Sequence, residues 1–171
     1  NHAAISDAGK EKLKTWVQAG GIVIGFERAL NFLTNAGLGK FDVKKEEDLP
    51  AGQAGKKEPA KPRPYAFIDE YGRAQETSGA IFEADADLTH PVLYGYTNPK
   101  VPLFKSNNLY VQKANGPYSN PLSYGNNPLV SGYITKPNIE KLKNSSVLGT
   151  VAMGRGRVIG FTENMAFRAF W

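Results

Sequence analysis

The chain has no cysteine at any of its 171 positions and only two histidines, His2 and His90. The first absence excludes disulfides, thiolate metal sites and cysteine nucleophiles together. The second leaves little for metal binding, which needs convergent ligands at helical or loop spacing; neither His-x-x-Glu nor His-Glu-x-x-His occurs. Gly-x-Ser-x-Gly is also missing, and with it the usual serine elbow of α/β hydrolases. No run approaches the roughly 18 apolar residues of a membrane span. No secretory leader pattern opens the sequence. Its first residues, Asn1-His2-Ala3-Ala4, include no initiating Met, which suggests a piece of a longer polypeptide.

Charge narrows the partners further. A net charge of +5 invites a nucleic-acid reading. The basic residues crowding 40–63 are, however, interleaved with Asp42, Glu46, Glu47, Asp48 and Glu58 in a Gly/Pro/Ala-rich stretch. Mixed charge there reads as a solvated loop, and neither nucleic acid nor membrane is an expected partner. The prolines at 50, 59, 62 and 64 mark about 40–64 as a mobile insertion.

What is present begins with one well-formed segment. Ser6 or Asp7 can cap a helix carrying Leu13, Trp16 and Val17 at helical spacing, which Gly20-Gly21 ends. Ile22-Val23-Ile24 then reads as a strand buried on both faces, and Leu30 and Leu33 belong to a second helix. The corner between strand and helix carries Phe26, Glu27 and Arg28, where a nucleophile would stand in many α/β enzymes.

Further along, 81–87 alternates apolar and acidic residues as a half-exposed strand, and Asp87-Leu-Thr-His-Pro makes a turn with His90 bonded locally. Asp85 and Asp87 read as solvated rather than catalytic carboxylates. Short strands are expected at Val101–Phe104 and Asn108–Gln112, a loop over Ser119–Pro128 and a helix over Ile139–Lys143. Ser146–Met153 and Arg157–Phe161 form a hairpin around Gly154-Arg155-Gly156, a turn rather than a phosphate cradle because it joins two strands. Glu163, Asn164 and Arg168 follow the second of these strands, where open α/β sheets gather ligands. The structural alternative is a capping Thr162 or Asn164 with a Glu163–Arg168 ion pair. Tyr94, Tyr96, Tyr110, Tyr118 and Tyr124 could serve a carbohydrate- or peptide-binding surface, although aromatics of this kind more often pack.

Four strings occur in order: LKTWVQAGGIVI from Leu13, DLTHPVLYGY from Asp87, LVSGYI from Leu129 and GRGRVIGFTENMAFRAFW from Gly154. Together they resemble the C-terminal region of bacterial zinc-carboxypeptidase-like proteins of the Bacteroidetes type. That resemblance implies a class I glutamine amidotransferase-like accessory domain over 1–171, α/β in class. The implied fold is three-layer, mostly parallel and flavodoxin-like, incomplete at both ends.

It implies a parent that is a secreted metallocarboxypeptidase, a periplasmic or extracellular hydrolase acting in proteolysis. Zinc would sit in the parent's peptidase domain and no cofactor in this chain. No position here matches the family's zinc ligands. Laid on the amidotransferase strand, Val23–Phe26 puts Glu27 where the nucleophilic cysteine would stand, and no downstream His-x-Glu follows. The expected function is therefore non-catalytic: packing on the peptidase domain of the same polypeptide, shaping substrate access or mediating homo-oligomerisation. The rival is a small-ligand or enzymatic site at the strand ends built from Glu27, Glu163, Asn164 and Arg168.

Overall fold

The structure, a computed structural model, describes residues 5–44, 62–77 and 79–166. Most of the expected insertion at 40–64 lies outside these, as do His2 and Arg168.

Helix α1 spans Asp7–Gln18 and starts at Ser6, whose hydroxyl accepts from the Gly9 amide at 3.2 Å. That bond satisfies one of the first-turn N–H groups that have no partner inside the helix. Strand β1 follows at Ile22–Phe26 and helix α2 at Ala29–Asn35. A 3₁₀ turn at Tyr65–Phe67 leads into α3, Ile68–Ala74. The remaining elements are β2 (Ala80–Ala86), β3 (Lys100–Lys105), β4 (Val111–Gln112), β5 (Leu122–Ser131), α4 (Lys136–Leu142), β6 (Ser145–Met153) and β7 (Gly156–Phe161).

The seven strands form one mixed sheet in the order β1-β7-β6-β5-β2-β3, with β4 beside β6, curled into a half-barrel. Among the described residues only β1 and β7 run parallel, and every other pairing of strands is antiparallel. This corrects the three-layer, mostly parallel, flavodoxin-like expectation. The helix-strand-helix opening is real, but it supplies a single parallel pair. The later strands pair antiparallel with one another, even β5 and β6 with α4 between them, so crossover helices do not cover both faces.

Two apolar clusters lie on opposite faces of the β6–β7 hairpin. Val17, Leu30, Leu33, Leu38, Phe41 and Val158 pack beneath α1 and α2. Phe82, Leu103, Tyr124, Leu142, Leu148 and Ile159 pack on the other side. The alternation of Val158 and Ile159 along β7 sends neighbouring residues to opposite cores. Close approach is needed where β7 begins: a Cβ on Gly156 would collide with the carbonyl oxygens of Val17 and Gly21.

Strand β1 is not buried on both faces. It is a sheet edge, with Val23 and Gly25 turned toward α2 and Ile22, Ile24 and Phe26 exposed at 58, 54 and 43%. The expected loop over Ser119–Pro128 is instead largely β5. Its turn-type residues fit because β5 pairs with β6 only at Leu122 and Ser123, so the missing N–H of Pro128 interrupts no bond to that neighbour. Of the strand expected at Asn108–Gln112, only Val111–Gln112 forms.

Candidate functional site

The parallel pairing of β1 with β7 sets Phe26 beside Phe161, their rings stacked at 5.1 Å. The next residues, Glu27 and Thr162-Glu163, therefore emerge at one end of the sheet. Glu27 turns the chain from strand to helix with φ of +50°, a left-handed conformation that costs a β-carbon residue about 1–2 kcal/mol. Its amide donates to the Phe161 carbonyl at 2.7 Å and its carbonyl accepts from Leu30 at 3.0 Å, fixing the corner to β7 and to α2.

Glu163 is almost wholly buried, as is Lys105, and the pair meets at 2.7 Å. The Glu163 Oε1 also accepts from the Tyr124 hydroxyl at 3.2 Å and from Thr162 Oγ1 at 3.0 Å, while Oε2 accepts from Asn107 Nδ2 at 3.3 Å. Lys105 Nζ donates its other two protons to Asn107 Oδ1 and the Leu109 carbonyl, both at 2.8 Å. Every ammonium proton is thus committed, and the carboxylate accepts four bonds. Such closure is what keeps a buried ion pair from being a net loss.

Burial pushes Lys105 below the usual lysine range, against the pull of Glu163. The same burial raises Tyr110 to about 12, and holds Tyr124 well above its ordinary value beside Glu163.

In front of this network lies a cleft of about 740 Å³, lined by the elbow residues Glu27, Arg28 and Asn31, by Glu76 and Thr77, and by residues 106–109. The structure thus brings Glu27 and Glu163 to the same end of the sheet but gives them different settings. Glu27 faces the cleft, half-buried, while Glu163 is sealed behind it. Asn164 stands apart, its side chain accepting from the Ala166 amide at 3.0 Å in an exposed local turn. Glu163 pairs with Lys105; the ion pair weighed for it with Arg168 falls on a residue outside the described ones.

Sequence reasoning missed Lys105 and Asn107, and it weighed Tyr124 for a binding surface and not for this network. A signal was available for the lysine: Val101, Leu103 and Lys105 share one face of β3, and the first two are buried. A charge continuing a buried apolar series requires a buried partner.

The remaining candidates resolve simply. His90 caps the Pro91–Leu93 turn, its Nδ1 accepting from the Val92 amide at 3.2 Å. Asp85 pairs with Lys100, and Asp87 accepts from the Thr89 amide and hydroxyl. Gly154–Gly156 is the hairpin turn, with Arg155 bonded to the Ala19 carbonyl at 2.9 Å. Tyr110 and Tyr124 are core residues, leaving Tyr94, Tyr96 and Tyr118 exposed.

Comparison with protein-family models, curated proteins and solved structures gives no match.

Proposed function

We propose that this chain is a non-catalytic docking domain that packs on a neighbouring domain through β1. One observation carries the reading: among the described residues β1 has no strand on its outer side, and Ile22, Ile24 and Phe26 are exposed on one face. Its ladder bonds to β7 run through Gly21 and Glu27, and parallel alternation turns the backbone groups of Ile22, Ile24 and Phe26 toward the open side. The opposite edge is blunted in the manner of natural sheets, since β3 carries Pro102 and the paired Lys100. Strand β1 has no proline and no charge. An unguarded apolar edge of this kind fits a surface that is covered in its working state.

The elbow supports the non-catalytic half of the reading. It presents the Glu27 carboxylate in place of a thiol or hydroxyl, and the buried lysine behind it is fully engaged by Glu163 and its neighbours. The resemblance to zinc-carboxypeptidase-like proteins supplies the partner: a peptidase domain of the same polypeptide, with any hydrolytic chemistry on that domain.

The test is amide hydrogen exchange across Ile22–Phe26 in this chain alone and in the full parent polypeptide. Docking predicts at least roughly tenfold slower exchange in the parent at the edge-facing amides. Equal exchange in both would remove the reading.

A further inference from the structure

Beyond docking, we propose that the cleft at the end of β1 binds a small organic cation, an amine or guanidinium compound, with the Glu27 carboxylate as its counter-ion. Size and lining set the class of ligand. At about 740 Å³ the cleft lies in the range of small-molecule sites, and Leu109 is the one apolar side chain among its described lining residues. A greasy ligand would find little to bury against, whereas a polar one would find hydrogen-bonding groups on every side.

The charges set the sign. Among the described lining residues, Glu27 and Glu76 stand against a single cation, Arg28. Lys105, close enough to feel the Glu27 charge, is neutralised by Glu163 at 2.7 Å and spends its remaining protons on Asn107 and Leu109. Over its described lining residues the cleft is therefore net negative. The side chains of Glu27 and Glu76 make no hydrogen bond or ion pair among the described residues. Glu27 is half-buried, so its attraction for a cation is screened less than that of a surface carboxylate.

The floor is built in advance. Asn108 Oδ1 accepts from the Thr77 amide at 2.9 Å, and both amide atoms of Asn107 are held by Lys105, Glu163 and the Thr162 carbonyl. A ligand entering the cleft meets fixed polar groups and does not have to order them, which favours binding. Asn31 and Ser106 add neutral hydrogen-bonding groups to the wall.

Calorimetric titration of the intact chain with putrescine and with agmatine tests the proposal, using 1,4-butanediol and succinate as neutral and anionic counterparts. The expected result is saturable binding of one or both cations with Kd below about 1 mM, and no saturation by the diol or the dicarboxylate. Glu27→Gln, which keeps the side chain's shape, weakens the cation at least about tenfold. Glu76→Gln, on a separate segment, weakens it in the same direction and serves if the first variant melts early. No saturation by either cation, an unchanged Kd in Glu27→Gln, or equal binding of the diol overturns the proposal. None of these outcomes depends on whether β1 docks.

Discussion

Lys105 and Glu163, 58 residues apart in sequence, meet at 2.7 Å with essentially no solvent contact. They tie the end of β3 to the end of β7 across the sheet, and the bonds they share with Tyr124, Asn107 and Thr162 make one closed unit. Removing one member strands the other's charge in the interior, so Lys105→Met or Glu163→Gln alone should each cost roughly 3–5 kcal/mol. The double variant should lose clearly less than the sum. A double-mutant cycle by urea denaturation measures this, and strict additivity would mean that the pair does not act as a unit.

Alkali should unfold the protein through its buried tyrosines. Tyr110 in the folded state titrates at about 12 and Tyr124 also lies well above its ordinary value, while both titrate near 10 when unfolded. Between these limits the unfolded chain has released protons that the folded chain still holds, so stability falls as pH rises from 10 toward 12. Lys105 acts with the opposite sign below about 10.5, because its folded-state pKa is lowered, and so does not cause this loss. Denaturation midpoints measured across this range should decline, and Tyr124→Phe should flatten the decline. A flat wild-type profile would contradict the assignment.

Glu27 holds its left-handed φ without the freedom of glycine. Glu27→Gly should therefore stabilise the chain by up to about 1 kcal/mol, the relief of strain outweighing the extra freedom of the unfolded state. Chemical denaturation reads the change. A destabilised variant would show that the Glu27 side chain supports the fold.

Neither glutamine nor C-terminal peptide substrates should be turned over by this chain. A carboxylate at the elbow cannot take the role of a thiolate nucleophile there. Assays of wild type and of Glu27→Gln should both stay at background. Turnover that the substitution abolishes would make the strand-end site an active centre.

Much of the site's frame is readable from sequence, because it rests on local chemistry. The Ser6 cap, the Gly20-Gly21 stop, the strand-to-helix corner at Glu27 and the Gly154–Gly156 hairpin each follow from residues a few positions apart. Strand direction is not local. A short apolar strand looks alike whether its neighbour runs parallel or antiparallel, so the N-terminal helix-strand-helix carries no information on the direction of the rest of the sheet. Strand β5 is not legible locally because Gly125, Asn126, Asn127 and Pro128 are turn residues, tolerated where its register shifts against β2. The Glu163 partner is not local either: Lys105 lies 58 residues away in sequence and meets it only through the fold.

The measurement that bears most directly on the docking claim is calorimetric titration of the proposed partner, a peptidase domain of the same polypeptide produced separately, into this chain. The account predicts a one-to-one complex with Kd of about 10 µM or tighter, weakened at least about tenfold by Ile24→Lys. Because the Ile24 side chain is more than half exposed, that variant should keep its fold, with stability within about 0.5 kcal/mol of wild type. No detectable complex, or a complex indifferent to Ile24→Lys, would contradict the assignment of β1 as the docking surface.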